Sequence, residues 1–374
     1  MRIKAIEPIA VSLPMKKPVQ MAGETVARAD NVLVRIESED GVVGWGEAAS
    51  APTMTGETVA GMMAAVALMT PSLIGCTADD FAGASAAMAA RMYGNSGAKA
   101  AIEIALHDLV GRATGRPLHA LLGGKARSSI AVLAVIGSTE TTADLREAQE
   151  RWAAGYRAFK IKVGLAAPAA DGERTRRICL ELKRKGEPCL VCADANQGFS
   201  VAEALHYVRA LGDCGLDFFE QPVVAHDIDG MARLVAAARV VIGADEGNHA
   251  SADLERHHAH KAAGGVSLKA IKLGGLRAVL EASRLADRLG MQVNISCKTG
   301  EASLASAAAV HVAAVAPQLA WGLTVTSGGL AEDVAAVPLA VAAGHVDVPN
   351  RPGLGIEVDE RRVRRNAQGY RRVA

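Results

Sequence analysis

Ala158-Phe159-Lys160-Ile161-Lys162-Val163 is a short apolar run that carries two lysines two positions apart. Four runs of the same texture follow: Cys192-Ala193-Asp194-Ala195-Asn196, Phe218-Phe219-Glu220-Gln221-Pro222, Gly243-Ala244-Asp245-Glu246 and Ser267-Leu268-Lys269. Each reads as a buried strand, and each ends on a charged side chain. Lys162, Asp194, Glu220, Asp245 and Lys269 are spaced by 32, 26, 25 and 24 residues. Each interval suits one strand, one helix and their connections, so consecutive parallel strands would present these groups along one rim.

The pattern extends outward on both sides. After Ser128 the strand candidates are Ile130–Ile136, Ala158–Val163, Cys189–Ala193, Phe218–Phe219, Val240–Ile242, Leu268–Ile271, Gln292–Ile295 and Leu319–Trp321. Amphipathic stretches such as Ala143–Ala154, Ala202–Leu211 and Val279–Leu289 lie between them. Eight such units predict a (β/α)8 barrel over 126–329, either regular or with one unit modified. A doubly wound open sheet is the rival, but no G-x-G-x-x-G follows the first strand.

The first 125 residues read differently. Ile3–Leu13, Asn31–Glu37 and Val42–Glu47 are strand-like, and Asp40-Gly41 between the last two is a hairpin signal. Pro14–Asp30 reads as a long loop, a length that is usually functional or mobile. From Thr58 to Gly124 the text is helical, most clearly over Ala98–Ala113, where Ile102, Ala105, Leu106 and Leu109 form one stripe and Gly115-Arg116-Pro117 ends it. The expected organisation is an α+β cap over 1–125, a barrel over 126–329 and a tail over 330–374 that returns to the cap.

Length fits two domains, or one large α/β domain with an attachment. Of 374 residues, 50% are apolar and only 3% aromatic, so the core packs small aliphatic side chains. The 41 basic and 40 acidic residues nearly cancel, which argues against a nucleic-acid partner and against long disorder. Six cysteines are too few for a disulfide scaffold, and Cys189-x-x-Cys192 lacks the partners of a zinc site. Reduced thiols in a cytoplasmic protein are the plain reading. The N-terminus has no signal-peptide core, and the uncharged stretches Thr58–Ala78 and Ala302–Ala331 are Ala-rich and interrupted, so no membrane span is expected.

The rim residues carry the chemistry. Three converging carboxylates, Asp194, Glu220 and Asp245, repel one another unless a cation joins them, and an all-oxygen set selects Mg2+ or a similar hard ion. Lys162 and Lys269 flank that set. A lysine beside a divalent cation and a second ammonium has a lowered pKa and can act as a base. It would take the proton α to a substrate carboxylate while the metal holds the enediolate, a pattern associated with Lys-plus-Mg2+ sites. Lys160 shares the face of Lys162 and could bind the substrate carboxylate. Glu246 and Lys272 sit beside these groups and, on strand alternation, tend toward the helices. His257, His258 and His260 read as a solvated face.

At these residues the chain resembles the enolase superfamily and, within it, the muconate-lactonizing-enzyme (mandelate racemase/muconate cycloisomerase) subgroup. The matching segments are Lys160-Ile161-Lys162, Asp194-Ala195-Asn196, Glu220-Gln221-Pro222, Ala244-Asp245-Glu246, Lys269 with Gly274-Gly275, and Ala101–Leu109 followed by Leu121-Leu122-Gly123-Gly124. The resemblance implies a modified (β/α)7β barrel under an α+β cap. It implies Mg2+, or Mn2+, on Asp194, Glu220 and Asp245, with Lys162 and Lys269 as acid/base catalysts on opposite substrate faces. It also implies two specificity loops, at about 14–30 and 50–56, the second carrying Thr53 and Met54. Asn196 belongs to the same motif set as a substrate contact. Symmetric homo-oligomers are usual in the family.

Two departures bear on specificity. Thr324 stands where many cycloisomerases and epimerases of the subgroup carry an acidic residue. Lys298, in Ser296-Cys297-Lys298-Thr299, stands where an apolar residue is more usual. A Lys298 pointing inward would suit a substrate with a second anionic or acceptor group; the other reading has it in solvent. The expected function is a Mg2+-dependent isomerase, cycloisomerase or racemase/epimerase, acting on a small carboxylate. A lyase that dehydrates a hydroxy acid or a hydroxyproline-like substrate shares the first step. A non-catalytic binding protein would lack some of the five groups, and none is missing.

Overall fold

The structure is a computed structural model, and it describes residues 1–368. The last six residues of the expected tail lie outside the described residues. Three antiparallel strands, β1 (Ile3–Met21), β2 (Glu24–Ser38) and β3 (Val43–Ala49), form the cap sheet. Helices Val59–Met69 and Ser96–Thr114 pack on it, and Phe81–Arg91 packs against those two helices. The barrel follows. β4 (Ser129–Ala131) lies outside it, and β5 (Ala134–Ile136), β6 (Ala158–Lys162), β7 (Leu190–Asp194), β8 (Phe218–Glu220), β9 (Val241–Ala244), β10 (Gly265–Leu268), β11 (Gln292–Ser296) and β12 (Leu323–Thr324) form one parallel sheet in sequential order. The circuit closes where Leu133 N–H donates to Leu323 O at 2.9 Å. β13 (His345–Asp347) in the tail pairs with β4.

Several expectations are corrected. Pro14–Asp30 is not a loop: β1 and β2 continue as a hairpin to the pairs Val19–Val26 and Met21–Glu24, turning at Ala22-Gly23. Within this stretch the ladder is broken between Pro14 and Val19, where Pro14, Pro18 and two exposed lysines give the text its loop-like look. The run Ile130–Ile136 splits, because its first half pairs with the tail and only its second half enters the barrel. Leu268–Ile271 is shifted: the strand is β10, and Ile271 lies in the short helix Ala270–Leu273. Leu319–Trp321 is likewise too early, since Trp321 plugs the barrel floor and the strand starts at Leu323.

Strand alternation explains the barrel contents. Phe159, Ile161, Val191, Ala193 and Phe219 face the helices and join the main core. Ala158, Cys192, Phe218 and Trp321 face inward with Leu133 and fill the floor. Trp321 stacks on Phe218 with centroids 4.0 Å apart. It fits because the strands beside it are bare: a Cβ on Gly243 or Gly265 would lie 2.6 or 2.3 Å from the indole. With the floor sealed, the next inward residues, Lys160, Lys162, Asp194 and Glu220, are lifted to the open rim.

The cap docks through helix ends. The Ser96–Thr114 helix is buried on nearly every side between cap sheet and barrel, so its apolar residues are not confined to the expected stripe. It lies close on β3 because Gly46 and Gly44 have no side chains; a Cβ on Gly46 would sit 2.0 Å from Ala101 O. Two buried cap carboxylates then satisfy helix N-termini of the barrel. Glu47 accepts from the amides of Ala302 (2.8 Å) and Ala305 (3.0 Å) at the start of Ser303–Val315. Glu103 accepts from Arg277 N–H (3.0 Å) at the start of Leu276–Arg288. Asp108 ties the same helix to β3 through Trp45 N–H and to the tail through Leu354 N–H. Among the described residues no helix is long and apolar enough to cross a membrane.

Burial pushes the Glu47 carboxyl up from 4.5 to about 8, with Glu301 and Asp333 adding repulsion. The folded state therefore holds a proton there that the unfolded chain releases near pH 4.5. Stability from this group is present at low pH and is lost as pH rises through about 8. Replacing Glu47 by Gln keeps an acceptor but removes the titration. Paired thermal melts should show wild type losing stability relative to Glu47→Gln between pH 5 and pH 8. A constant difference would contradict this assignment.

Candidate active site

The rim of the barrel and the overhanging cap enclose a cavity of about 80 Å3. Its barrel lining includes Lys160, Lys162, Asp194, Asn196, Asp245, Lys269, Lys298 and Thr324. Its roof is Met21, Ala22 and Glu24 from the β1–β2 hairpin tip, with Thr53 and Met54 from the segment between β3 and the first helix. Glu220 lies beneath the lining and is fully buried. The catalytic, metal-binding and substrate-binding candidates named from the sequence thus all line this cavity or, for Glu220, lie directly beneath it.

Lys162 Nζ donates to Asp194 Oδ2 and Asn196 Oδ1, both at 2.6 Å. Lys160 pairs with Glu220 and lies 3.7 Å from Asp194. Lys269 pairs with Asp245. Ser267 Oγ donates to Glu220 Oε1 at 2.9 Å. Lys162 ends β6 and Lys269 follows β10, four positions apart in an eight-stranded circuit. They therefore face each other across the cavity, with the carboxylates of β7, β8 and β9 on the arc between.

The charges hold each other. Burial alone would raise all three carboxyls. Lys162 and Lys160 more than reverse this at Asp194, and Lys269 and Lys272 do so at Asp245, so both stay below the usual range. Glu220 is raised by burial and by repulsion from Asp194 and Asp245, against the pull of Lys160 and Lys269. The lysines differ from expectation. Burial lowers Lys160 and Lys269, but the carboxylates they touch carry both above the ordinary value. In this arrangement the ammonium groups are the counterions of the carboxylates.

Two further side chains belong here that strand alternation assigned to the helices. Glu246 lines the cavity and is pushed up to about 7 by burial and by Asp245. Asn196 donates to one of its oxygens at 3.0 Å, and the other, Oε2, is buried without a partner. Lys272 donates to Asp245 Oδ1 at 2.6 Å and to Ser267 O at 2.9 Å. Alternation fails because the strands have already ended. β9 stops at Ala244, and Gln221 Oε1 then takes the amides of Asp245 and Gly247. Lys272 is one helical turn past Lys269, so both point the same way. The backbone is left-handed at Asn196, Gln197 and Gln221, just after the acidic strand ends, conformations that cost about 1 kcal/mol or more each. His257 is buried, not solvated, and its Nε2 lies 3.2 Å from Gly247 O beneath the same loop; His258 and His260 are exposed.

Lys298 points inward and is buried, but its ammonium already pairs with Glu24 at 3.2 Å. Its charge is therefore matched from within the chain. Thr324 also lines the cavity, and its Oγ1 is buried with no partner.

Among the described residues, no three carboxylate, imidazole or thiolate groups are gathered closely enough to grip an ion as they stand, because lysine ammonium groups are interposed. The donor set nevertheless fits a hard divalent cation. Asp194, Glu220 and Asp245 are all-oxygen donors on adjacent strand ends, and the buried Glu246 Oε2 beside them is a further oxygen without a hydrogen-bond partner.

Comparison with known proteins agrees with this geometry. Residues 5–123 match the family model "Mandelate racemase / muconate lactonizing enzyme, N-terminal domain", and residues 143–362 match "Enolase C-terminal domain-like". The chain is 33% identical over 373 residues to muconate cycloisomerase 1 of Pseudomonas putida, with 98% of each covered. It is 29% identical over 368 residues to the N-succinyl-L-Arg/Lys racemase of Bacillus cereus, with 96% of each covered. The crystal structure of muconate lactonizing enzyme from Pseudomonas fluorescens, complexed with muconolactone, matches with a TM-score of 0.92 at 30% identity, covering 98% of this chain and 99% of that one. With both halves matched in order and nearly full length shared, the chain belongs to the mandelate racemase/muconate lactonizing enzyme family of the enolase superfamily.

Proposed function

We propose that the chain is a Mg2+-dependent isomerase that moves the proton α to a substrate carboxylate, with Lys162 and Lys269 as the acid/base pair. The observation that carries this reading is their placement half a barrel apart on one cavity, with three carboxylates between them. One lysine removes the proton from one face of the α-carbon, and the other returns it to the opposite face. That exchange of faces is racemisation or epimerisation. The same pair also suits a cycloisomerase, in which one lysine serves addition or elimination at a lactone.

Asp194, Glu220 and Asp245 would hold the cation, with Glu246 beside them. A divalent cation there would stabilise negative charge on the substrate carboxylate and would compete with the lysines for the same carboxylate oxygens. Lys160, on the floor side of Lys162, is placed to bind a substrate carboxylate. Asn196 orients Lys162 through the 2.6 Å contact and Glu246 through the 3.0 Å contact. The hairpin tip, Thr53 and Met54 cover the cavity and exclude water from the reacting carbon. The similarity to cycloisomerases and a racemase supports an isomerase.

Lys162→Ala and Lys269→Ala should each lower turnover by about 10²–10⁴-fold on any accepted substrate. A panel of N-acyl amino acids, dipeptides, muconates and hydroxyprolines, read by chiral product analysis, makes the comparison. The fold should survive in both variants, because each carboxylate keeps a second ammonium: Lys160 at 3.7 Å for Asp194, and Lys272 at 2.6 Å for Asp245. Unchanged turnover in both variants would contradict the mechanism, and a dehydrated product would assign the chain to the lyases instead.

Mg2+ should raise the melting temperature of the full chain, by about 2.7 kcal/mol of stability at a hundredfold excess over the dissociation constant. Asp245→Asn should abolish most of that rise. An equal rise in wild type and variant would remove Asp245 from the cation site.

A further inference from the structure

The lysines and carboxylates explain how the reacting end of a substrate is held, and they leave the opposite wall unexplained. That wall is built from Lys298, Glu24, Thr53 and Thr324. Lys298 is fixed by the barrel: its amide donates to Glu301 Oε2 at 2.9 Å, and its carbonyl accepts from Thr326 Oγ1 at 2.9 Å. Its side chain is only 6% exposed. Glu24 comes from the cap, at the tip of the β1–β2 hairpin. One carboxylate oxygen accepts from Lys298 Nζ at 3.2 Å, and the other accepts from Thr53 Oγ1 at 3.2 Å. Glu24 therefore joins the barrel rim to both roof segments.

A buried lysine on the far wall would, by itself, select a second substrate carboxylate. Here the chain supplies that carboxylate. A dicarboxylate entering the pocket would have to displace Glu24 or share its ammonium. Displacement breaks a largely buried ion pair, and sharing sets two anions against one cation. The one unmet group on this wall is neutral: Thr324 Oγ1, which can donate or accept.

We infer that Glu24 is a specificity-determining residue, an internal carboxylate that occupies Lys298 and excludes substrates carrying a second carboxylate at the far end. The substrate class is then a monocarboxylate whose remote end is uncharged and carries a hydroxyl, amide or carbonyl for Thr324. This rests on the pocket being the carboxylate site proposed above.

The test is calorimetric titration of the Mg2+-loaded full chain with matched ligands: succinate and butyrate, glutarate and pentanoate, adipate and hexanoate. Each pair has the same chain length and differs by one carboxylate. Wild type should prefer the monocarboxylate of each pair. Glu24→Gln, which is nearly isosteric, should shift at least one pair toward the dicarboxylate by about tenfold, because it leaves Lys298 buried and unpaired. Adding Lys298→Met to that variant should cancel the shift. A hairpin merely loosened by substitution would change both members of a pair alike. A wild type that binds the dicarboxylates as tightly as the monocarboxylates or more so, or ratios unchanged by Glu24→Gln, would overturn the inference and leave the carboxylate site standing. Failure of every ligand to bind wild type and variants would overturn that site, and the inference with it.

Discussion

Mutual repulsion among buried carboxylates is the constraint around which this protein is organised. Asp194, Glu220 and Asp245 are each at most 2% exposed on three adjacent strand ends. Such a set is unstable without positive charge, since burial and like-charge repulsion both oppose ionisation. Here four lysines supply it: Lys160 and Lys162 from one strand, Lys269 and Lys272 from one helical turn and its cap. The pairing explains why Lys160 sits two residues below Lys162, and why Lys272 follows Lys269 by three. Each catalytic candidate is backed by a second ammonium that keeps the carboxylate satisfied when the first one moves.

The cap serves that charge cluster indirectly. The hairpin tip and the Thr53–Met54 segment must be held over the rim, and they are carried by a sheet whose helix is wedged against the barrel. Glu47 and Glu103 fix the wedge by accepting hydrogen bonds from helix N-terminal amides, a join that is directional as well as attractive. Glu24 completes it at the cavity itself. Cap position and pocket chemistry thus meet in the Glu24–Lys298 pair.

Much of this was legible in the chain. Regular spacing of charged strand ends carried the barrel, because period-two alternation fixes which residues share a face as long as a strand lasts. The five rim residues follow from it, and the resemblance to the family rests on the same motifs. Legibility stopped where strands stopped. Alternation points Glu246 and Lys272 toward the helices, but it does not hold past Ala244 and Leu268, where a turn and a short helix begin. The hairpin over Pro14–Asp30 was hidden because Pro14 and Pro18 break its ladder, although its tip follows an ordinary two-residue turn. Glu47, Glu103 and the buried His257 look like surface residues in a sequence, since nothing local marks a polar group that caps a helix or props a loop elsewhere. The sequence allows Lys298 to point inward or to solvent, and it points inward. Its partner is not legible there, because residues 24 and 298 meet only when the cap is docked.

The most direct test of the account is proton exchange at the substrate α-carbon in D2O, followed by NMR on separate enantiomers of an accepted carboxylate. Opposed lysines predict that wild type exchanges both enantiomers. Loss of Lys162 should stop wash-in from one enantiomer only, and loss of Lys269 from the other only. If removing either lysine abolished or spared exchange equally for both enantiomers, the two-sided site described here would be wrong.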